Sequence, residues 1–219
     1  MASAAAAPSD ECSGSAWQAE MMEHSAESSK ADILARACAA LSSDNPVLAG
    51  QVLRTEYPFE TTTKAARRYT ERQSLRVFYR DGFIDRYSGT RLVHPGVLRL
   101  LSIVLPDEFP AHPNWDMNKS HFGFWELFPS IDHLVPVARG GADDATNWVT
   151  TSMLRNSAKY QWTLEELGWP LLPAGDISIW DGLATWYTDY LTQRPEVRAD
   201  QPYLRRWSSA TLAIQAEAS

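Results

Sequence analysis

Residues 131 to 159 read IDHLVPVARGGADDATNWVTTSMLRNSAK, and the order of signals in this stretch constrains the fold more than any other part of the chain. An apolar run over 131–137 reads as a strand, although it carries two adjacent ionisable side chains, Asp132 and His133. A loop, ARGGADDAT, follows, in which Gly140 and Gly141 supply permissive dihedrals. A second short strand, NWVTT, leads into a helix that begins near Ser152. Asn156 then falls early on that helix, with Lys159 one turn on. If the strands pair as a hairpin and the helix packs across them, Asp132, His133 and Asn156 can converge.

The flanking sequence reads as mostly helical. Residues 1–29, rich in Ala, Ser and Glu, have no sustained apolar face and suggest a disordered tail. Residues 30–60 form an N-terminal helical segment, with a short amphipathic helix in KADILARACAALSS ending before Asn45-Pro46. TTTKAARRYTERQSLRVFYRDG predicts a Thr-capped helix whose Leu75, Val77 and Phe78 are outnumbered by Lys64, Arg67, Arg68, Arg72, Arg76 and Arg80. GVLRLLSIVL is a compact helix or strand between prolines, and an irregular Pro- and Trp-containing connector leads to the hairpin. Beyond it, Thr163 and Glu166 have capping-box spacing. A last aromatic helix sets Trp180, Leu183, Ala184, Tyr187 and Leu191 on one side, and residues 196–219 read as a C-terminal tail.

Charge matters here because it is unevenly spread. The net charge of −7 hides a segment, residues 61–99, with nine basic and three acidic side chains. Affinity for a phosphate backbone comes from Lys and Arg displacing counterions, so this segment is the candidate nucleic-acid surface. The simpler reading is a solvated face paired with acidic parts of the same chain. Cys12 and Cys38 are too few for a disulfide framework or a four-ligand zinc site. No window suits a membrane span, and the N-terminus lacks a secretory pattern, so the expectation is a soluble cytoplasmic protein in a reducing compartment.

The stretch resembles the HNH endonuclease motif, the ββα-metal (His-Me finger) nuclease core. The matching positions are His133 in the Asp-His pair, Asn147 fourteen residues on, Asn156 nine further, and Lys159 in an N-x-x-K ending. The spacings are also similar to those of the HNH domain in RNA-guided CRISPR nucleases, and the pattern resembles bacterial stand-alone HNH proteins. The resemblance implies an α+β fold: an HNH core within a mainly helical single domain over residues 61–195. It implies metal-dependent hydrolysis of DNA phosphodiesters. His133 is then the general base, since an imidazole takes a proton from water near neutral pH. Asp132 and Asn156 are the metal ligands, and Asn147 ties the loop and supports the histidine. Arg139 and Lys159 are candidate phosphate contacts, joined by Arg67, Arg68, Arg72 and Arg76 of the basic helix. One carboxylate and one amide oxygen suit Mg²⁺, with Mn²⁺ as a substitute.

The chain departs from the family at the zinc-binding cysteine pairs found in many members. The corresponding segments are RDGFIDRYSG and SMLRNSAK, with Asp85, Ser88, Ser152 and Arg155 where cysteines would stand. This implies a zinc-free variant, held by polar contacts such as an Asp85–Arg155 ion pair and by packing of Phe83, Tyr87 and Trp148. A single site cuts one strand, so double-strand cleavage calls for two nicks or a homodimer. The competing readings are a noncatalytic nucleic-acid-binding module with the same fold, and a toxin or defence nuclease regulated by the acidic N-terminal segment. A restriction or mobile-element nuclease would differ in its target alone.

Overall fold

A computed structural model describes residues 29–59 and 68–218. Residues 1–28 of the expected 1–29 disordered tail, Lys64 and Arg67 lie outside the described residues. The chain divides into two compact units, Met1–Thr62 and Thr63–Ser219, where the sequence suggested one principal domain. Mixed helix with one small antiparallel sheet gives the α+β class. Among the described residues no helix is long and apolar enough to cross a membrane.

The first unit contains two helices, α1 (Lys30–Ser42) and α2 (Pro46–Glu56). Ser29 and Asp32 form a capping box at the start of α1. Asn45 caps α2 and Pro46 occupies its first turn, where the missing N–H costs nothing. The helices meet through Ala37, Ala40 and Ala49, small side chains that permit close approach, with Val52 and Leu53 packed alongside.

The second unit begins with α3 (Glu71–Arg80), capped by Thr70 in a reciprocal box with Gln73. Leu75, Val77 and Phe78 face inward. The apolar segment left open between helix and strand is helix α4 (Pro95–Val104), started by Pro95 and capped by the His94 ring, which accepts from the Gly96 N–H. The connector holds α5 (Gly123–Glu126) and delivers the chain to strand β1 (Pro129–His133). Strand β2 (Trp148–Ser152) pairs with it antiparallel, His133 opposite Trp148 and Ile131 opposite Thr150. Helix α6 (Met153–Lys159) follows directly, capped by Ser152. Then come α7 (Leu164–Leu167), with the anticipated Thr163–Glu166 box, α8 (Ala184–Gln193), α9 (Pro195–Ala199) and α10 (Pro202–Ala218).

Strand β1 is displaced from its expected 131–137 to 129–133. Beyond His133 the Asn147 side chain takes the Val135 N–H and C=O, and Pro136 has no N–H to offer a ladder. The C-terminal segment, expected as a tail, is also corrected. Helix α10 packs on α3, α4 and α8, with Leu204, Trp207 and Ile214 in the main core beside Leu75, Phe78, Phe83, Val97, Leu100 and Tyr187. Its inward stripe contains a polar residue, Thr211, which interrupts the apolar pattern. Thr211 is satisfied there by donating to the Trp207 carbonyl.

Candidate functional site

A two-stranded sheet is marginal alone, because each strand leaves an edge of unpaired backbone groups. Here side chains close both edges. Along the outer edge of β2, Arg80 donates to the Trp148 carbonyl (2.6 Å). The buried Asp81 carboxylate accepts from Thr150 N (2.7 Å), and Arg86 N donates to the Thr150 carbonyl (2.9 Å). The buried Asp85 carboxylate accepts from Ser152 N (3.0 Å), the Thr151 hydroxyl (3.0 Å) and Tyr87 N (2.9 Å). Asp85 and Ser152 are two of the positions where cysteines were considered, and they meet through a hydrogen bond. The expected Asp85–Arg155 pair does not form, because Asp85 is filled by these donors and Arg155 lies over the Trp169 ring, 4.9 Å from its centroid.

The outer edge of β1 is closed by α6. Asn156 Nδ2 donates to the Ile131 carbonyl (3.1 Å) and the Ser130 hydroxyl (2.9 Å). One helical turn on, Lys159 Nζ donates to the His133 carbonyl (2.7 Å). Residues three apart on a helix face thus match alternate carbonyls on the strand. Lys159 is fully buried and pairs with Asp132 Oδ2 at 3.0 Å, and the Tyr87 hydroxyl donates to the same oxygen at 2.7 Å. The placement of Lys159 on phosphate is therefore corrected: the ammonium is an interior counter-charge. Burial, with the Asp132 charge as a second cause, pushes the Tyr87 phenol up. Tyr87 stays a neutral donor.

Adjacent strand residues point to opposite faces, and this separates the candidate pair. Asp132 faces Tyr87 and Lys159, on the side of Asn156. His133 faces Trp148, its cross-strand partner, together with Tyr69 and Asp143. The expected convergence is thus partial: Asp132 and Asn156 share a side of the sheet, and no hydrogen bond joins His133 to either among the described residues.

Asp143, which the sequence did not single out, organises the histidine. Its Oδ1 lies 2.8 Å from His133 Nε2, 3.1 Å from Trp148 Nε1 and 3.1 Å from the Tyr69 hydroxyl. Trp148 and Tyr69 can only donate to that oxygen, so the arrangement is coherent with the His133 Nε2–H donating as well. The Trp148 Nε1–H also lies 3.1 Å from His133 Nε2, which would accept from it in the other tautomer. In the tautomer that donates to Asp143, Nδ1, which has no hydrogen-bond partner among the described residues, is the basic atom. The hydrogen bond from His133, first among several, holds the Asp143 carboxyl below the usual carboxylate range. The neighbouring Asp144 does something else: it accepts from Thr146 N and Oγ1 and folds the turn. Nothing in the letters ADDAT separates the two roles.

Asn147 is buried and clips the loop. Its amide donates to the Val135 and Ala142 carbonyls (both 2.8 Å) and accepts from Val135 N (2.9 Å). The two glycines are needed for different reasons. Gly140 adopts φ +87°, whereas at Gly141 a Cβ would collide with the Val135 carbonyl. No family model, curated protein or solved structure matches this chain.

The remaining basic candidates are exposed, and most have partners. Arg139 pairs with Glu166, whose pKa is lowered to about 2 by the Thr163 backbone N–H first and by Arg139 next. Arg72 and Arg76 both reach Glu217 of α10, so part of the basic face is paired within the chain. Arg68 is exposed, just ahead of α3.

Proposed function

We propose that the chain is a metal-dependent endonuclease of the HNH, ββα-metal type, acting on DNA phosphodiesters. The observation that carries this reading is the His133–Asp143 pair, in which one ring nitrogen is held by a carboxylate and the other has no hydrogen-bond partner among the described residues. Nδ1 takes a proton from water. The water oxygen bonds to phosphorus, the bond to the 3′-oxygen breaks, that oxygen takes a proton from solvent, and the products carry a 5′-phosphate and a 3′-hydroxyl; the imidazolium then returns its proton to solvent. Asp143 orients the ring and stabilises the imidazolium formed, the role a carboxylate plays beside other catalytic histidines.

The donor set on the other side of β1 fits a hard cation. One oxygen of Asp132, Oδ1, and the amide oxygen of Asn156 accept no hydrogen bond from a described residue, while the rest of each group is committed as described above. A Mg²⁺ ion held by Asp132 and Asn156, with Mn²⁺ as a substitute, would neutralise charge on the phosphate and the leaving oxygen. Lys159 already offsets part of the Asp132 charge, which favours a weakly held ion. His133 ends β1, so a phosphodiester lying across the strand end would meet the imidazole from one side and the metal ligands from the other.

The test is nicking of supercoiled plasmid with Mg²⁺, Mn²⁺ or EDTA by wild type, His133→Ala and Asn156→Ala. Metal-dependent nicking lost in both variants supports the reading. Wild-type protein that binds DNA without cutting it in any of these conditions would replace this reading with a noncatalytic binding module.

A further inference from the structure

Away from the hairpin site, a cavity of about 310 Å³ opens between the connector, the start of α4 and α10. That is near the lower end of small-molecule sites, roughly 300–1,000 Å³, and suits a ligand no larger than a nucleotide. Its walls include Trp115, Phe124, Phe128 and Tyr203, with Arg99 and His112 among the polar groups. Three observations separate it from an ordinary surface hollow.

First, Trp115 is 45% exposed although it sits among aromatic rings. Phe124 and Phe128 meet it edge-on, at interplanar angles of 89° and 88°, so its plane is fixed. Second, its backbone has φ +54°, a left-handed conformation that a bulky side chain rarely adopts and that here presents the indole to the cavity. Third, Arg99 is half-buried at the cavity wall and makes no salt bridge or side-chain hydrogen bond with any described residue. Nearby Asp116 is paired with Lys119 instead (3.5 Å).

A rigid aromatic plane beside an uncommitted guanidinium matches a ligand that combines a flat ring with an anionic group. We propose that this cavity takes up one nucleotide of a single-stranded nucleic-acid segment, the base stacking on Trp115 and the phosphate meeting Arg99. Stacking on aromatic side chains with Arg on the backbone is how proteins hold single strands. The choice of a strand over another aromatic anion rests on the nuclease reading. Phe128 immediately precedes β1 and His133 ends it, five residues on, so the two lie at most roughly 17 Å apart at a strand rise of about 3.4 Å per residue. The same bound strand can serve both places.

The experiment is fluorescence anisotropy of a 5′-labelled hexathymidylate, in EDTA so that no cutting intervenes. It compares wild type, Arg99→Gln and Trp115→Asn. Arg99→Gln loses no hydrogen bond or salt bridge to a described residue, and Asn tolerates the left-handed backbone; circular dichroism checks that each variant is folded. The expected result is a weakening of about 5- to 150-fold for Trp115→Asn, the range for loss of one stacked base, and a clear weakening for Arg99→Gln. The proposal is overturned if wild type does not bind the strand, if both pocket variants bind it as wild type does, or if free thymidine monophosphate competes as well as the strand. Failure here leaves plasmid nicking as an independent test of the nuclease, and absence of nicking leaves this binding result standing.

Discussion

His94 and His133 are both buried imidazoles, one in the helical core and one at the end of the hairpin, and their surroundings give them opposite capacities. His94 is fully buried, with Nδ1 accepting from Gly96 N (3.0 Å) and Nε2 against the Thr211 hydroxyl (2.9 Å). Thr211 donates its own proton to Trp207, so it accepts from a His94 Nε2–H, and both ring nitrogens are used. Burial lowers the His94 pKa to about 3, and the ring is a neutral structural group. His133 is 8% exposed, and among the described residues only Nε2 of its ring has hydrogen-bond partners. The comparison teaches that burial alone does not separate a packing histidine from a reactive one. The count of satisfied ring nitrogens does.

Three variants sharpen or break that contrast. The largest effect on stability is expected at the backbone anchor of His133. Lys159→Met leaves the buried Asp132 carboxylate without its counter-charge and removes the bond to the His133 carbonyl, a loss of about 3–5 kcal/mol in urea unfolding. A change within about 0.5 kcal/mol would mean that Lys159 is solvent-facing and would restore it as a phosphate contact.

Next comes Asp143→Asn. The loop carboxylate is exposed, so unfolding stability should hold while the nicking rate falls, by up to about 10⁴-fold, the loss when a carboxylate orienting a catalytic histidine becomes an amide. A rate equal to wild type would remove Asp143 from the site.

The smallest effect is a pH slope. The His94 pKa of about 3 lies below the ordinary imidazole value of about 6.5 in the unfolded chain, so the unfolded chain binds a proton that the folded state excludes. This contribution is complete above about pH 6.5 and is lost as pH falls toward 3, by at most about 1.4 kcal/mol per unit. Denaturation at pH 7, 6 and 5 should show wild type losing stability faster than His94→Gln. Parallel curves would contradict the burial of a neutral ring.

The parts of the molecule written in local chemistry were legible in the sequence. Thr163 and Glu166 make the box their spacing implies, and strand, loop, strand and helix follow one another in the order of residues 131–159. What was not legible depends on long-range packing. Lys159 is basic in the sequence, and its burial is set by Tyr87, 72 residues earlier. Asp143 is indistinguishable from Asp144 until Tyr69 and Trp148 are brought to it. Helix α10 was hidden because Thr211, in its inward stripe, is polar and is matched by His94, the cap residue of α4.

The most direct test of the central claim is single-turnover nicking by His133→Ala in Mg²⁺, normalised to folded protein. Loss of the general base predicts a rate lower by about 10²- to 10⁴-fold, with unfolding stability close to wild type. Cleavage at the wild-type rate by the folded variant would contradict it, and His133 would then be a second structural histidine like His94.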